Sequence, residues 1–272
     1  SRKGQRLLTE RVYPELCEQP LRPQVFFESY YGRQYSDSPR AILEELRRRD
    51  AGLEFVWSVR DGQVELPEGI TPVRRGGRDY VEALACSKYV VVNSHLPWWF
   101  RRRPGQTVLQ TWHGATLKRI GFDIERVRFA TRDYHERLAL EVEQWDYLVS
   151  PSPWCTPIMR RAFRFEGEVL ETGYPRNDLF FAEDRDEIAR AVRQRIGVPE
   201  GRKVVLYAPT WRDDKFYARG RYRLDLQLDL RRMQAELGED HVVLVRRHPH
   251  IVDRVPEAGR DFVFDVSVYP QM

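Results

Sequence analysis

The amino-acid sequence predicts an α/β protein with doubly wound parallel sheets in two units. Apolar segments of strand length alternate with amphipathic segments of helix length along the whole chain, a pattern typical of parallel strands joined by right-handed crossovers. Loops rich in aromatic, polar and basic residues directly follow several of the apolar segments. The chain has 272 residues, of which 42% are hydrophobic, so it is long enough for one large or two medium-sized domains.

The first unit is expected to span residues 23–182, after a polar, proline-containing lead-in at 1–22 that is either a helix remnant or a linker. Short apolar runs within it predict strands. They lie at 24–28, 53–59, 89–93, 107–109, 147–150 and 168–172. Apolar residues at helical spacing predict helices between these strands. They lie at 40–49, 80–87, 131–144 and 156–165.

The second unit is expected to span residues 183–272. A helix is predicted at 184–195, and Gly197 is expected to end it because glycine readily adopts the left-handed conformation found after a helix C-terminus. Strands are expected at 203–207, 241–245 and 262–264, and a helix at 226–237. The chain starts at Ser1 and stops shortly after the last predicted strand, so we expect an excerpt of a longer protein in which this unit is incomplete.

Charge and composition narrow the classes of function. The 45 basic residues face 41 acidic ones, and this mild excess favours an anionic ligand or surface over a nucleic-acid partner. The sequence contains no apolar run of about 18 residues and no signal peptide, so we expect no membrane-spanning helix. It also lacks the glycine-rich phosphate loops of dinucleotide-binding and P-loop proteins and the Gly-x-Ser-x-Gly motif of α/β hydrolases.

Three cysteines, Cys17, Cys86 and Cys155, are widely separated in the sequence. No pair has the spacing of a metal site, and the odd number argues against a disulfide framework. We therefore expect a reducing compartment and no metal site at these cysteines. We also expect the chain to need no cofactor.

The central candidate is the segment Gln110-Thr111-Trp112-His113-Gly114, which follows the predicted strand at 107–109. Ligands bind at the carboxyl ends of strands in open α/β sheets, and a histidine exchanges protons near neutral pH. Gly114 lets a ligand approach the backbone closely, and basic residues on both sides of the segment suit a phosphate. We predict that His113 is a general base; the alternative is a structural histidine beside a packing tryptophan.

Other histidines compete for a role in the site. His248 follows two arginines at the end of the strand at 241–245, where it could stabilise charge on a phosphoryl oxygen; the alternative is a basic surface corner. His250 is the competitor, and His248 is preferred because it lies nearer to the strand end. His95 and His135 are expected to be structural.

Two further loops contain groups that suit phosphate. Arg176 follows the predicted strand at 168–172 and could hold a phosphate with two N–H groups, although Asp178 could pair with it instead. Pro209 and Thr210 follow the first strand of the second unit. Backbone N–H groups and a hydroxyl in that tight turn could hold phosphate or ribose; the alternative is a plain turn.

A basic and aromatic loop is expected to meet an anionic polymer or lipid headgroups. It contains Trp98 and Trp99, followed by Arg101, Arg102 and Arg103. The alternative is a solvated run of charges that covers an apolar cluster.

Several of these segments, in this order, resemble motifs of the CDP-glycerol glycerophosphotransferase family, the teichoic acid primases and polymerases of bacterial cell-wall synthesis. The resemblance runs from about residue 24 to the end of the chain. The matching segments are Phe27-Glu28-Ser29, residues 32–39, Asn93-Ser94-His95-Leu96-Pro97, residues 110–114 with Leu117-Lys118, Gly121-Phe122-Asp123, Gly173-Tyr174-Pro175-Arg176-Asn177-Asp178, residues 207–212 and Arg247-His248-Pro249.

The resemblance implies a GT-B architecture, in which two Rossmann-like units face each other across a cleft. It implies transfer of glycerol phosphate or another polyol phosphate from a CDP-activated donor, such as CDP-glycerol, to a hydroxyl of a lipid-linked acceptor, with release of CMP. By motif, His113 corresponds to the base and His248 to the histidine that assists at the donor phosphates. The donor site would include Trp112, Gly114, Arg176, Pro209, Thr210 and Arg247.

The resemblance also implies that residues 23–182 form the acceptor side and residues 183–272 the start of the CDP-donor unit. It implies metal independence and peripheral attachment to the cytoplasmic face of a bacterial membrane, with no nucleic-acid partner. Two departures from the family pattern stand out. Ala115-Thr116 replaces the usual Thr-Pro after Trp-His-Gly, and the sequence ends before the family's Asp-Tyr-Ser-Ser segment, which helps to hold the donor pyrophosphate.

Two other functions stay open on the sequence alone. A glycosyltransferase of the same fold would use a nucleotide sugar, and a panel of CDP-polyols and nucleotide sugars would separate the two donors. A non-catalytic module would bind a membrane surface or an anionic polymer through the basic and aromatic loop. Such a module would show salt-sensitive binding to vesicles without release of CMP.

Overall fold

The computed structural model describes residues 2–62, 64–125, 133–212, 214–218, 220–259 and 261–269. The chain divides between Phe180 and Phe181 into two compact units, here unit 1 and unit 2. The boundary expected from the sequence is residue 182.

Unit 1 is built on a seven-stranded sheet in which all neighbouring strands are parallel. The strands are β1 (Arg22–Glu28), β2 (Glu54–Val59), β3 (Ile70–Arg74), β4 (Ser87–Val92), β5 (Thr107–Gln110), β6 (Tyr147–Val149) and β7 (Glu168–Leu170). Their order across the sheet is β3-β2-β1-β4-β5-β6-β7. The direction of winding reverses between β1 and β4, and ligands bind at such a switch point in doubly wound sheets.

Helices cover this sheet because the side chains of each strand alternate between its two faces. The helices are α1 (Arg2–Leu7), α2 (Tyr13–Cys17), α3 (Asp37–Arg48), α4 (Arg78–Cys86), α5 (Tyr134–Val142) and α6 (Cys155–Phe163). On one face, Phe26 and Val90 pack with buried residues of α2, α4, α5 and α6. On the other face, Val25 and Phe27 pack with Leu43 of α3.

Short helical turns complete the connections. A π-helical turn at Leu8–Val12 joins α1 to α2, and 3₁₀ turns occur at Tyr30–Gly32, Gly121–Asp123 and Pro175–Phe181. The start of the helix predicted at 131–144 falls partly on residues 131–132, which lie outside the described residues. None of the helices among the described residues is long and apolar enough to cross a membrane.

The structure decides one segment of unit 1 that the sequence left open and adds one strand. The N-terminal residues, expected as either a helix remnant or a linker, are helical, and Tyr13 and Leu16 are buried in the same core as α4. Only a few apolar residues of this segment contact the core, so its sequence is polar overall. Strand β3 was not expected because Pro72 interrupts a short apolar run. It is an edge strand, the position in a sheet that tolerates proline.

Unit 2 contains a three-stranded parallel sheet, ordered β12-β11-β8. Its elements are α7 (Arg185–Ile196), β8 (Lys203–Tyr207), β9 (Phe216–Ala218), β10 (Arg221–Tyr222), α8 (Leu230–Leu237), β11 (His241–Val245) and β12 (Val263–Asp265). The antiparallel pair β9–β10 was not expected from the sequence. Gly197 ends α7 with a φ of 84°, as predicted.

A buried ion pair lies at the carboxyl end of β1. Glu28 is 2% exposed, and one of its carboxylate oxygens accepts hydrogen bonds from the Ser58 hydroxyl (2.7 Å) and from Nε of Arg75 (3.0 Å). Burial raises the pKa of Glu28, while Arg75 and Ser58 oppose that change. The Arg75 guanidinium also lies over the ring of Tyr31, 5.3 Å from its centroid. The pair therefore supports the loop that follows β1.

We expect Arg75→Ala to lower the free energy of unfolding at pH 7 by about 3 kcal/mol, because it leaves a buried carboxylate without its cation. Denaturant titration would measure this loss. The loss should shrink at acid pH, since the unpaired Glu28 then binds a proton in the folded state and its pKa lies above the unfolded value. Arg137→Ala, which breaks an exposed pair with Asp133, is the control. An equal loss in both variants would contradict the role of the buried pair.

Candidate active site

Four loops of unit 1 meet at the carboxyl edge of its sheet, following β1, β4, β5 and β7. Four of the residues in them that are not glycine have left-handed backbone conformations: Tyr30 (φ 47°), Tyr31 (φ 60°), Asp37 (φ 66°) and Trp112 (φ 54°). Such conformations cost free energy, and they cluster at functional sites where the surrounding structure holds them. Their grouping at the switch point of the sheet marks this edge as the candidate site.

The ring of His113 has a defined orientation and tautomer. Its Nδ1 lies 2.5 Å from the backbone carbonyl oxygen of Asn93. A carbonyl oxygen only accepts hydrogen bonds, so Nδ1 carries the proton and Nε2 keeps its lone pair. The ring stacks on Trp112, with centroids 4.6 Å apart, and meets the edge of Tyr30 at 5.6 Å. This arrangement presents Nε2 as a proton acceptor.

The surroundings of His113 keep it neutral at physiological pH. Burial lowers its pKa, and the positive charges of His95 and Arg176 lower it further; the Asn93 carbonyl and the carboxylate of Asp37 act in the opposite direction. The net shift is downward from the usual 6.5. A base must be unprotonated to act, so the lowered pKa keeps His113 available at pH 7.

Arg176 and Gly114 lie beside this histidine, as the sequence predicted them to share a site. Nη1 of Arg176 donates to the carboxylate of Asp37 (2.7 Å) and to the carbonyl oxygen of His113 (2.9 Å). The carbonyl oxygen of Gly114 accepts a hydrogen bond from the Tyr174 hydroxyl (2.8 Å). Within the part of the chain that the structure describes, a side chain added at Gly114 would meet no atom within 4 Å, so the backbone there is open to a ligand.

Trp112 is mainly a packing residue in this structure. Its side chain is 8% exposed and belongs to the larger core of unit 1. The ring of Phe163 meets it edge-on at 4.7 Å, and its backbone N–H donates to the side-chain oxygen of Gln110 (2.9 Å). Trp112 thus forms the floor on which His113 stacks, and direct contact with a donor stays a prediction.

A second histidine, expected to be structural, forms an ion pair near the same edge. Nδ1 of His95 lies 2.7 Å from the carboxylate of Glu141, and the other oxygen of that carboxylate accepts the backbone N–H of Leu96 (3.0 Å). Burial opposes a charge on this ring, but Glu141 outweighs it and raises the pKa of His95. Its ring meets Trp112 edge-on at 5.9 Å.

In unit 2, His248 has the opposite tautomer. Its Nδ1 accepts a hydrogen bond from the backbone N–H of His250 (3.1 Å), so a neutral ring carries its proton on Nε2. The ring packs against Trp211, with centroids 4.4 Å apart. Trp211 directly follows Pro209 and Thr210, and because β8 and β11 are parallel neighbours this turn and His248 lie at the same sheet edge.

Arg247 has its donors committed within unit 2. Its Nε donates to the hydroxyl of Ser267 (3.0 Å) and its Nη1 to the carbonyl oxygen of Asp253 (2.5 Å). Its third guanidinium nitrogen, Nη2, lies 3.4 Å from the carboxylate of Asp265. Arg247 therefore organises the loop after β11, and its contact with a donor stays a prediction.

The basic and aromatic loop is likewise tied to the body of unit 1. The guanidinium groups at 101 and 103 donate to backbone carbonyl oxygens, and that at 102 pairs with Asp146 (3.1 Å). Trp99 packs partly buried against the core, whereas Trp98 is 61% exposed. Contact of this loop with a membrane stays a prediction, with Trp98 as its exposed apolar group.

Comparison with known proteins places the chain in a family. The model of the CDP-Glycerol:Poly(glycerophosphate) glycerophosphotransferase family matches residues 14–272. The chain belongs to this family. It is 41% identical over 257 residues to the teichoic acid poly(glycerol phosphate) polymerase of Bacillus subtilis (strain 168), which covers 91% of the chain and 34% of that polymerase.

Two further relatives of this glycerophosphotransferase-family chain are informative. A teichoic acid glycerol-phosphate transferase of Staphylococcus aureus (strain NCTC 8325 / PS 47) is 36% identical over 261 residues, covering 93% of the chain and 67% of the transferase. A solved structure of the wall teichoic acid polymerase TagF, a His-to-Asn variant soaked with CDPG, superposes with a TM-score of 0.87 at 33% identity, covering 97% of the chain and 66% of that chain. The predicted α/β, GT-B-like fold class is confirmed.

The chain thus spans about a third of the polymerase and about two thirds of the other two proteins. Among the described residues, no group of three or more His, Cys, Asp or Glu side chains is placed to hold a metal ion. The expectation that the family member needs no metal and no cofactor stays a prediction.

Sequence reasoning assigned no role in the site to several residues that shape it. They are Tyr30, Asp37, Asn93 and Glu141. Asn93 could have been found from the sequence, because a polar residue directly after an apolar strand indicates a position at the sheet edge where ligands bind. Tyr30 and Asp37 lie in a loop rich in tyrosine and serine, whose left-handed backbone conformations no sequence pattern shows. Glu141 lies on an amphipathic helix among other acidic residues, and only the fold brings it to His95.

We expect His113 to titrate below pH 6.5 with its proton on Nδ1 in the neutral form, and His95 to titrate above pH 6.5. Both follow from burial and from the partners of each ring. ¹⁵N NMR of histidine-labelled protein reports tautomer and pKa together, with His113→Gln and His95→Gln used for assignment. Glu141→Gln should lower the pKa of His95. A proton on Nε2 of neutral His113 would contradict the assignment of that atom as the acceptor.

Proposed function

We propose that the protein transfers glycerol phosphate, or another polyol phosphate, from a CDP-activated donor to a hydroxyl of a lipid-linked acceptor and releases CMP. The observation that carries the proposal is His113 itself, a neutral imidazole with its Nε2 lone pair presented at the switch point of a doubly wound sheet. Membership of the glycerophosphotransferase family supports the same chemistry. The CDPG in the TagF structure supports the choice of donor.

The reaction needs one base and several groups that stabilise negative charge. Nε2 of His113 takes the proton of the acceptor hydroxyl as its oxygen attacks the β-phosphorus of the donor. The new phosphorus–oxygen bond forms as the bond from that phosphorus to the bridging oxygen breaks, and CMP leaves with the bridging oxygen. Little covalent work falls to the protein in phosphoryl transfer, so positioning and electrostatics dominate.

Arg176 is the proposed phosphate-binding cation of unit 1. The two hydrogen bonds that Arg176 donates within the described residues come from Nη1, which leaves Nε and Nη2 to bind two oxygens of a phosphate. The open backbone at Gly114 would let the transferring group approach closely. The ring of Trp112 would keep His113 in place by stacking against its imidazole.

In unit 2, we assign to His248 the donation of its Nε2–H to a phosphate oxygen of the donor. The turn at Pro209 and Thr210 would contribute backbone N–H groups and a hydroxyl to the donor. Arg247 would keep the His248 loop in place and add positive charge to the donor side. These assignments rest on the tautomer of His248 and on the family motifs.

We also propose that the protein acts at the cytoplasmic face of a bacterial membrane as a peripheral protein. A lipid-linked acceptor would require access to that surface, and the net charge of +4 favours an anionic membrane. The side chain of Trp98 is the group of the basic and aromatic loop with the exposure needed for insertion. The arginines at 101–103 are bonded within unit 1, so they would attract the membrane by their charge and would not insert into it.

CMP release from CDP-glycerol, with a lipid-linked acceptor, tests the proposed function. We expect His113→Ala to lower turnover by at least about 10²-fold, within the range of acid–base catalysis. His113→Asn, which keeps an N–H donor for the Asn93 carbonyl and lacks the basic nitrogen, should lose as much. His241→Ala, at the start of β11, is the control and should retain turnover.

The donor panel separates the remaining functions. Release from CDP-ribitol alone would keep the reaction and change the polyol. Release only from a nucleotide sugar would replace the proposal by a glycosyltransferase. No release from any donor, together with salt-sensitive binding to anionic vesicles, would replace it by a non-catalytic binding module.

A further inference from the structure

Asp37 is a buried carboxylate whose partners come from separate parts of unit 1. Its side chain is 5% exposed. One oxygen accepts hydrogen bonds from the Tyr30 hydroxyl (2.5 Å) and from Nη1 of Arg176 (2.7 Å), and the other accepts the backbone N–H of Ser38 (2.6 Å). Asp37 stands at the start of α3 with a φ of 66°. A buried charge is costly unless it is paired and hydrogen-bonded, and Asp37 meets both conditions.

The group that Asp37 orients is the Arg176 guanidinium, and through it the main chain of the base. The same Nη1 that donates to Asp37 also donates to the carbonyl oxygen of His113 (2.9 Å). The three residues come from the loops after β1, β5 and β7, so this chain of bonds joins three loops at one point. The ring end of His113 is held separately, by the Asn93 carbonyl.

We propose that Asp37 is a positioning residue, which holds the Arg176 guanidinium against the carbonyl of His113 and thereby fixes both the base and the cation that binds the transferred phosphate. The inference rests on the proposed function. We place Asp37 behind the substrate, because its side chain is only 5% exposed and both of its oxygens already accept hydrogen bonds within unit 1. Its negative charge also balances that of Arg176 beside a base that must remain a proton acceptor.

The charges around His113 make this role measurable without turnover. The groups that face the ring or act on it are Asp37 and Arg176, the His95–Glu141 pair, the Tyr30 ring and the Asn93 carbonyl. Asp37 raises the pKa of His113, whereas Arg176 and His95 lower it. Removing the charge of Asp37 should therefore lower the pKa of His113 further, and removing that of Arg176 should raise it.

Asp37→Asn is the informative variant because it changes charge and little else. Asparagine is the residue best suited, after glycine, to a left-handed conformation, so the backbone at 37 is kept. Its side-chain oxygen can still accept the Ser38 N–H. The amide binds a guanidinium more weakly than a carboxylate does. Glu45→Gln, which removes one negative charge from the exposed side of the same helix, is the matched control.

We expect Asp37→Asn to lower kcat about 10- to 100-fold, the cost of a small displacement of reacting groups, with a smaller change in the KM for CDP-glycerol. The acid limb of its kcat/KM profile should move to lower pH. ¹⁵N NMR of the ligand-free protein should show the same downward shift in the pKa of His113. Glu45→Gln should leave all three quantities at wild-type values.

Arg176→Gln provides a second variant with the opposite sign, and its His113 pKa should rise. It keeps the inference testable if Asp37→Asn does not fold, as judged by circular dichroism and thermal unfolding. An unchanged His113 pKa in the folded variants, or an unchanged kcat in Asp37→Asn, would overturn the role of Asp37.

Failure of the proposed function looks different. A wild-type protein that releases no CMP contradicts the proposed reaction, while the NMR titrations still decide whether Asp37 and Arg176 set the state of His113. A wild-type protein that releases CMP, with Asp37→Asn at full rate, contradicts only the positioning role.

Discussion

The hydrogen bond from Nδ1 of His113 to the carbonyl oxygen of Asn93 is the interaction on which the rest of the candidate site depends. It exists because β4 and β5 are parallel neighbours in which Val92 faces Gln110, and the Thr111 N–H extends that pairing to the Val92 carbonyl (2.8 Å). The left-handed conformation of Trp112 then turns the chain, so that the next side chain lies over the end of β4. A carbonyl partner leaves Nε2 as the acceptor.

Burial and charge balance act together around this bond. Burial keeps His113 neutral, but the same burial would make unpaired cations costly beside it. Arg176 and His95 are each paired with a carboxylate, Asp37 and Glu141 respectively. The site therefore contains positive groups that suit phosphate, and their paired carboxylates balance the charge beside His113, which stays a proton acceptor.

The two candidate histidines show how backbone partners assign roles to identical side chains. In unit 1 the partner is a carbonyl oxygen, and the ring becomes an acceptor at Nε2. In unit 2 the partner of His248 is an N–H group, and the ring becomes a donor at Nε2. The proposed transfer from a CDP-activated donor uses both kinds of group, an acceptor for the hydroxyl proton and a donor to a phosphate oxygen.

The sequence by itself determined the α/β class, most strands and helices, the end of α7 at Gly197 and the family, because strand-length apolar runs, helical spacing and long motifs are local properties of a chain. It also singled out His113 and Arg176, since their residue types and neighbours suit phosphate chemistry. Only the tertiary structure decided the tautomers, the pairing of Asp37 with Arg176 and of Glu141 with His95, and the internal bonds of Arg247 and of the arginines at 101–103. Those contacts join residues far apart in the chain, and left-handed backbone conformations at tyrosine or tryptophan leave no trace in sequence because the surrounding fold, not the residue type, stabilises them.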